Sequence, residues 1–548
     1  MNEELDRRTF LLGASALAAL CPIELPRQAS TAASRRAARG KLDSYTIDLA
    51  NAERKLDIYN VRLRNYGSPG RMPTIPGPLL ETRGGHTLRV KLRNRITKAE
   101  GYIDGDMDQA PAGLDPHNNP HGFDITNLHV HGVQTVPHLF YPVGTAKLSA
   151  PSIAVAPGKS FTWDFPIPKD QPAGLFAYHP HLHGSTGTQV MSGAAGALII
   201  RGAIDEVPEI KACREQVIAI NSIYLTDAGQ APGRFGLNFT PYVSPPSGYT
   251  EEDFHIYTVN GQPVSKVNAP DPSGSTITRQ LEPATLKMRP GEIVRLRFLN
   301  ATETDTMRLV ADGGDMRWYA QDGINFQKLV RTGTGADNCV FIPPLARSEV
   351  LLQAPAQAGE FFITALENAP QTYSFAGMPE VRMLRVVVGG TPKRGMRFPR
   401  RLPVPIREYP LIRDQDITAR RTIRWTEENP APQMILGTAF QINNKSYDPD
   451  EALVTTYVGA VEEWNLVNES GEGHPVHVHV NSMQVNTEYL SPTQPRHCDV
   501  VWVPAKSSLK VRIRFKEWSG KAVIHCHILY HEDQGMMTNM VIRKNPRA

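Results

Sequence analysis

A pattern that begins with glycine and ends with asparagine nine residues later occurs three times in this 548-residue chain. In the first two copies, the residues after the glycine alternate between apolar and basic side chains, as expected for a strand with one buried and one wet face. The copies begin 206 and 168 residues apart, which is a domain-sized spacing. A coincidental turn and strand is the alternative, but the identical spacing favours three homologous β-sandwiches in tandem. The copies are Gly85 to Asn94, Gly291 to Asn300 and Gly459 to Asn468.

The rest of the chain also reads as all-β. Its 45 prolines and 43 glycines separate short β-like stretches, and long apolar runs with helical periodicity are missing from the sequence. A basic, proline-rich connector begins at Gly389 and indicates a domain boundary. We predict a leader over residues 1–40 and domains over residues 41–205, 206–395 and 396–548.

Composition narrows the class of function. Hydrophobic residues make up 41% and charged residues 21% of the chain, which is typical of a globular protein and excludes a disordered or coiled-coil chain. The formal net charge is only +4, and lysine and arginine are spread along the sequence. We therefore expect no nucleic-acid partner.

The N-terminus is typical of an export signal. Arg7 and Arg8 precede an apolar run from Leu11 to Leu20, and small residues follow at 29–33. A chance arginine pair is the alternative, but the order of charge, apolar run and small residues favours the twin-arginine route. The apolar run is too short for an ordinary membrane span, so we expect a periplasmic or secreted protein without stable membrane insertion.

Four cysteines follow the leader, which is too few for a disulfide framework. An exported protein permits one bridge, and we expect Cys213 to pair with Cys339 because both fall in the second predicted domain. The status of Cys498 stays open. Cys526 belongs to the metal-binding pattern described next.

Histidines are paired far more often than chance allows. Random placement of 17 histidines predicts about half of one His-x-His pair, and five occur. On a strand, such a pair presents both imidazoles on one face because side chains alternate with a period of two. Imidazole suits several transition metals, so these pairs alone leave the metal open. The pairs are His129/His131, His179/His181, His181/His183, His477/His479 and His525/His527.

The last pair encloses a cysteine, which the same alternation sends to the opposite face. On that face Cys526, His531, Met536 and one histidine from another segment can form a His₂Cys site with a weak axial methionine, the signature of blue copper. His474 is the natural fourth member of this site. One strand would therefore contact two metal sites.

These segments resemble the four copper-binding motifs of the multicopper oxidase family, and the resemblance covers the whole chain after the leader. It implies three cupredoxin-like Greek-key β-sandwiches, four coppers per chain, and the oxidation of a small-molecule donor with O₂ as acceptor by a monomer or weak oligomer. The implied type 1 ligands are His474, Cys526, His531 and Met536. The implied type 2 ligands are His129 and His477, and the two type 3 ions would take His131, His179 and His527, and His181, His479 and His525.

The resemblance also implies roles in catalysis. Cys526 would conduct electrons to His525 and His527. Glu532 matches an acid that supplies protons in bacterial laccase-like members, with a solvated loop carboxylate as the alternative. The chain departs from many bacterial members between Gly132 and Lys147, where it lacks the acid they often carry; either Asp124 or a water chain would substitute. An axial Met favours a low or middle type 1 potential, and therefore phenols, aminophenols or metal ions as donors.

Two alternative functions are a cuprous or ferrous oxidase in copper tolerance and a copper-free periplasmic scaffold. The 15 methionines are scattered rather than gathered in an insertion, which favours phenol oxidation over the first. The complete ligand set disfavours the second, and the domain count disfavours a two-domain nitrite reductase. We expect His183 to lie outside the ligand set, either beside it or at the surface. Six further histidines lack ligand spacing and are expected to be structural or exposed: His86, His117, His121, His138, His255 and His497.

Overall fold

The structure is a computed structural model. It describes residues 42–97, 113–226, 234–237, 254–268, 278–335, 338–368, 378–403, 409–434, 437–485 and 495–545. The leader predicted for residues 1–40 lies outside these ranges. The domain boundaries predicted at 205/206 and 395/396 fall between groups of strands and stay a prediction.

The first group of strands forms two sheet regions. Strands β1, β2, β4 and β6 pair in the order β2-β1-β4-β6, and the other four pair in the order β3-β8-β7-β5. The bounds are β1 Leu42–Leu56, β2 Tyr59–Gly67, β3 Gly77–Arg83, β4 Thr87–Asn94, β5 His129–His131, β6 Ser160–Pro166, β7 Gly174–His179 and β8 Gly196–Arg201.

The second group continues the first sheet. Strand β10 pairs with β2 of the first group and with β9 of the second, so one sheet of 13 strands runs through both groups, and a separate five-stranded sheet has the order β14-β22-β21-β16-β19. The bounds are β9 Arg214–Thr226, β10 Arg234–Leu237, β11 Phe254–Val259, β12 Gln262–Asn268, β13 Thr278–Gln280, β14 Ala284–Met288, β15 Ile293–Asn300, β16 Met307–Ala311, β17 Asp315–Gln321, β18 Ile324–Arg331, β19 Val340–Ile342, β20 Arg347–Gln353, β21 Gly359–Ala365 and β22 Val381–Val388.

The third group has two sheets of its own, in the orders β24-β23-β26-β31-β28-β29 and β25-β33-β32-β27-β30. The bounds are β23 Ala419–Glu428, β24 Ala439–Ile442, β25 Ala452–Tyr457, β26 Val461–Asn468, β27 His474–Val478, β28 Met483–Val485, β29 Arg496–Cys498, β30 Val500–Val503, β31 Ser507–Arg514, β32 Gly520–Cys526 and β33 Met537–Arg543. The short helices are α1 Thr186–Met191, α2 Pro208–Lys211 and α3 Leu529–Asp533, with 3-10 turns at Ala203–Glu206 and Asp414–Asp416. No helix among the described residues is long and apolar enough to cross a membrane.

The three copies of the glycine-to-asparagine pattern occupy equivalent places. They form β4, β15 and β26, and each pairs in parallel with the first strand of its group and antiparallel with a later strand. Each terminal asparagine donates from its amide to at least two backbone carbonyls and accepts the backbone N–H two residues later. These equivalent pairings show that the three groups repeat one all-β unit, so the all-β prediction is confirmed.

The expectation of a wet face on the second copy is wrong. Strand β4 alternates between buried and more exposed residues as expected, but every residue of β15 is buried. Arg295 and Arg297 are paired there with Asp205, Glu215 and Glu349. Asp205 follows β8, Glu215 lies on β9 and Glu349 lies on β20. Because these carboxylates surround them, the basic side chains are buried as ion pairs instead of facing solvent.

The predicted Cys213–Cys339 disulfide is also wrong. None of the four described cysteines is in a disulfide. Cys213 packs against the apolar cluster that contains Ile204 and Ile210, whereas Cys339 packs against the main apolar core of the second group. The two partly buried thiols therefore pack in different apolar clusters and form no bridge in this structure.

Candidate metal centres

Two neighbouring strands near the C-terminus fix the geometry of the site. In the antiparallel pairing of β27 with β32, Val476 lies opposite Cys526 and His477 lies opposite His525. Because side chains alternate along each strand, Cys526 faces one side of the sheet while His477 and His525 face the other. This pairing places two candidate metal sites on opposite faces of one sheet.

On the sulfur face, three predicted ligands converge. Cys526 Sγ lies 3.5 Å from Nδ1 of His474 and 3.7 Å from Nδ1 of His531. All three side chains are buried, and their ligand atoms lie within 4.8 Å of one another. Met536 is also buried, and its backbone is held by hydrogen bonds to His531 and Cys526. The structure therefore brings the ligand atoms of three predicted type 1 residues together and holds the backbone of the fourth, Met536, next to two of them.

A side chain lies close to the other nitrogen of each imidazole on this face. Nε2 of His474 lies 2.7 Å from Ser470 Oγ, and Nε2 of His531 lies 2.9 Å from a carboxylate oxygen of Glu472. The ring of Phe440 stacks on His531 with centroids 4.0 Å apart. These contacts fix both rings with Nδ1 directed at the sulfur.

On the opposite face, eight buried histidines from the first and third groups form one cluster. Within it, the Nε2 atom of His525 lies 3.1 Å from Nε2 of His181 and 3.3 Å from Nε2 of His479. A second pair of nitrogens, His131 Nδ1 and His179 Nε2, lies 3.3 Å apart, and the ring of His527 lies 4.9 Å from that of His131. His129 groups with His477 and His479. These are the residues predicted for the type 2 and type 3 ions.

Backbone carbonyls set the tautomer of three of these histidines. Nδ1 lies 2.7 Å from the Pro180 carbonyl in His179, 2.6 Å from the Asp499 carbonyl in His477 and 2.9 Å from the Cys526 carbonyl in His525. A carbonyl can only accept, so each Nδ1 carries the proton. The lone pair of each neutral ring is therefore on Nε2, which faces the cluster.

Two buried carboxylates face the outer nitrogens of the cluster. Glu532 lies with one oxygen 3.2 Å from His181 Nδ1 and the other 3.1 Å from His525 Nδ1. Asp499 lies 3.1 Å from Nε2 of His131 and is paired with Arg347. Glu532 is fully buried, which excludes the solvated loop carboxylate considered from the sequence.

Burial holds these imidazoles in the form that binds metals. Loss of hydration, with a smaller contribution from neighbouring rings and Arg347, lowers the pKa of His131 well below its usual range, and burial lowers that of His179 to about 3. Burial likewise raises the pKa of the Cys526 thiol, so its deprotonation depends on a bound cation.

The residues fit copper ions. Nitrogens about 3 Å apart can both bind one ion at the usual metal–nitrogen distance of about 2.0 Å. Nε2 of His129, Nε2 of His477 and both nitrogens of His527 are buried and have no hydrogen-bond partner among the described residues. Buried imidazole nitrogens without partners are costly unless a ligand occupies the space between them. A thiolate with two imidazoles and a methionine fits copper in particular.

Several residues of the site were missed from the sequence, among them three next to the histidine cluster. Asp499 and Arg347 lie far from the histidine pairs along the chain, and no local spacing indicates their contact. His138 is buried, in agreement with the structural alternative expected for it, but its contact with His129, Nε2 to Nδ1 at 3.0 Å, was not expected. Burial lowers the pKa of His138 to about 4. The only hint of the His138 contact in the sequence was that the segment from Gly132 to Lys147 lacks the acid that many bacterial members of the family carry there.

Two acids fix helix α3, which carries His531 and Glu532. Glu303 of the second group accepts the backbone N–H of Tyr530 at 2.6 Å. Asp533 accepts the backbone N–H groups of Gly184, Thr186 and Gly187, at the start of helix α1. All three groups of strands therefore support this short helix.

Four of the remaining histidines make contacts outside the two ligand clusters. His183 packs its ring against Tyr447, with centroids 4.7 Å apart. His86 pairs with Asp43, His255 packs against Tyr257, and His497 packs against Tyr409. Asp124, offered from the sequence as a substitute acid, is paired with Arg64 at 2.8 Å.

Comparison with known proteins agrees with this site. Two family models, both described as multicopper oxidase, match residues 116–204 and 417–546, which contain the two halves of the histidine cluster. A laccase from Bacillus subtilis is 24% identical over 527 residues, covering 89% of this chain and 91% of the relative. A multicopper oxidase from Staphylococcus aureus is 20% identical and covers 91% of this chain and 89% of the relative.

Solved structures share the fold. A multicopper oxidase from Campylobacter jejuni, described as a metallo-oxidase, superposes with a TM-score of 0.67 at 20% identity and covers 96% of this chain and 95% of its own. The multicopper oxidase McoA from Aquifex aeolicus gives 0.63 at 18% identity and covers 91% of this chain and 97% of its own. The family models and the relatives agree with the cysteine and histidine clusters, so this chain belongs to the multicopper oxidase family, whose members depend on copper and are built from cupredoxin-like domains.

Proposed function

We propose that the chain is a laccase-like oxidase that removes single electrons from phenolic or similar small donors and reduces O₂ to water. It would hold four coppers. The type 1 ion would be bound by His474, Cys526, His531 and Met536, and the type 2 ion by His129 and His477. The type 3 ions would be bound by His131, His179 and His527, and by His181, His479 and His525. Bound copper would supply the electron transfers and the reduction of O₂, which side chains alone do not perform.

One observation carries this proposal. Strand β32 delivers the sulfur of Cys526 to one face of the sheet, and its flanking residues His525 and His527 lie in the histidine cluster on the other. The two clusters are therefore joined by single peptide units. An arrangement that only stored copper would not need this covalent link.

Two carboxylates at the outer edge of the sulfur site support the part of the proposal that concerns the electron donor. The His474 and His531 side chains are fully buried, whereas those of Glu472 and Glu427 are 10% and 24% exposed. A donor with O–H or N–H groups can form hydrogen bonds to such carboxylates next to the type 1 histidines. This favours phenols and aminophenols.

Glu532 supports the part of the proposal that concerns the supply of protons for O₂ reduction. Its carboxyl group contacts two histidines of the cluster while the surrounding protein excludes bulk water. A buried carboxyl group in this position can hold a proton next to the cluster and release it when charge changes there. We assign Glu532 this role.

The two alternatives receive less support. A cuprous-ion oxidase would need thioethers that an incoming ion can reach, but Met536, Met537 and Met540 are all buried. A copper-free scaffold has no use for buried nitrogens without partners. Turnover of a phenol compared with that of cuprous ion, with and without added copper, separates the first alternative from laccase-like activity.

The test is the Cys526→Ser variant of the copper-loaded protein. We expect it to lose the blue type 1 absorption and its oxidation of a phenol with O₂. Cys498→Ser is the matched control because Cys498 is also a fully buried thiol but lies outside the ligand set. Undiminished phenol turnover in Cys526→Ser would show that the proposal is wrong.

A further inference from the structure

His138 lies behind His129, on the side away from the histidine cluster. Its Nε2 is 3.0 Å from Nδ1 of His129, and the two rings are nearly parallel, with centroids 5.1 Å apart and planes 17° apart. The other nitrogen of His129, Nε2, faces the cluster and has no hydrogen-bond partner among the described residues. His138 therefore contacts His129 at the nitrogen that is not available to the metal.

The positions of the protons follow from the neighbours of His138. Its Nδ1 lies 3.0 Å from the carbonyl oxygen of Val136, which can only accept, so Nδ1 carries a proton. In the neutral ring, Nε2 then has a lone pair. The backbone N–H of Val130 donates to this nitrogen at 3.3 Å, and Nδ1 of His129 is the second donor. His129 must therefore carry its proton on Nδ1, which leaves the lone pair on Nε2.

The surroundings hold His138 in place. Trp163 donates its indole N–H to the His138 carbonyl at 3.0 Å, and Phe165 packs edge-on against the imidazole with centroids 4.9 Å apart. Both aromatic residues are buried in the core of the first group. The ring thus has one orientation, with Nδ1 toward Val136 and Nε2 toward His129.

We propose that His138 is a positioning residue for the type 2 copper, because its Nε2 accepts the His129 proton and thereby directs the His129 lone pair at the metal. The inference rests on the proposed function, since it takes His129 as a type 2 ligand. Partners of this kind orient a metal-binding imidazole, and their loss typically lowers metal affinity about 10- to 100-fold. His138 would act on one copper and leave the type 1 site unchanged.

The chemistry of this partner differs between the two histidines of the His129-Val130-His131 strand. Asp499, a carboxylate, accepts from Nε2 of His131, whereas an uncharged imidazole accepts from Nδ1 of His129. A carboxylate acceptor raises the basicity of a ligand imidazole more than a neutral acceptor does. The segment from Gly132 to Lys147 contains no Asp or Glu, and His138 supplies an imidazole acceptor in place of a carboxylate there.

The test compares His138→Phe with His138→Gln in the copper-loaded protein. Phe keeps a ring against Phe165 but accepts no proton, whereas the Gln amide oxygen can reach the former position of Nε2. We expect His138→Phe to lose the type 2 copper at a chelator concentration about 10- to 100-fold lower than the wild type, with a changed type 2 electron paramagnetic resonance signal and an unchanged blue absorption. His138→Gln should restore both properties to near wild-type values.

His255→Phe is the matched control, since it removes a buried histidine of the second group that packs against Tyr257. If His138→Phe does not fold, His138→Asn replaces it, because the shorter amide cannot reach His129. If His138→Phe, or His138→Asn in its place, resists the chelator as well as the wild type does and keeps an unaltered type 2 signal, the role proposed for His138 is wrong. Absence of type 2 copper from the wild-type protein would instead refute the proposed function.

Discussion

Arg347 and Asp499 form a two-point ion pair between the second and third groups of strands, with nitrogen–oxygen distances of 2.9 and 2.6 Å. Both residues are buried. The oxygen at 2.9 Å also lies 3.1 Å from Nε2 of His131. Asp322 accepts the backbone N–H groups of Arg347 and Asp499 and so fixes both partners. The second group contributes no predicted copper ligand, yet it determines how His131 is held.

Arg347→Met should therefore destabilise the protein and disturb one ion of the histidine cluster. Removing the guanidinium leaves the Asp499 carboxylate buried without its cation, at a cost of about 3–5 kcal/mol. Chemical denaturation of the metal-free protein and the copper content of the loaded protein measure the two effects. Arg89→Met is the control, because the Arg89–Asp164 pair is exposed and solvent screening leaves it little effect on stability. Equal costs for the two variants would contradict the role given to Arg347.

Glu532→Gln should slow O₂ reduction without removing copper. The amide keeps the shape of the side chain next to His181 and His525 but cannot hold and release a proton. We expect O₂ consumption to fall about 100-fold, with unchanged blue absorption and copper content. Asp124→Asn is the control, since the Asp124 carboxylate is paired with Arg64. A larger loss in Asp124→Asn than in Glu532→Gln would reverse the assignment.

Stability should depend on pH through Glu303. Burial, together with nearby acids, raises the pKa of this carboxyl group from 4.5 to about 8. Between these values the folded state binds a proton that the unfolded state has released, so stability falls as the pH rises from about 4.5 to 8. Glu303→Gln keeps an acceptor for the Tyr530 N–H but does not ionise. Its stability relative to the wild type should rise across this range, as measured by denaturation at pH 5, 6.5 and 8; a difference independent of pH would count against this account.

Asn300→Ala should weaken the fold and leave the metal sites intact. The Asn300 amide donates to the carbonyls of Asp305 and Ile342, and its oxygen accepts the Thr302 N–H. Each buried group left without a partner costs about 1–3 kcal/mol. We expect a clear drop in the unfolding midpoint with normal copper stoichiometry. Loss of copper at unchanged stability would contradict a purely structural role.

Much of the site could be predicted because its signals are local. The alternation of side chains along a strand sufficed to separate Cys526 from His525, and the fixed spacing of the motifs sufficed to gather the histidines of each segment. The terminal asparagines of the repeat marked equivalent strands. The sequence did not show that each asparagine amide donates hydrogen bonds to at least two backbone carbonyls.

Contacts between distant parts of the chain were not predicted. Asp499 lies 368 residues from His131, and only the packing of the groups brings them together. Arg295 and Arg297 look like the wet face of a strand, but acids from β9, β20 and the turn after β8 bury them. The role of His138 depends on a short loop that turns back on β5, which residue spacing does not reveal.

The histidine cluster takes its ligands from residues 129–181 and 477–527. During synthesis, the first half therefore has no partner until nearly the whole polypeptide has left the ribosome. An ion that arrives earlier meets an incomplete set of ligands and can dissociate. Under the proposed function, copper bound in the cluster would therefore report that both ends of the molecule have come together.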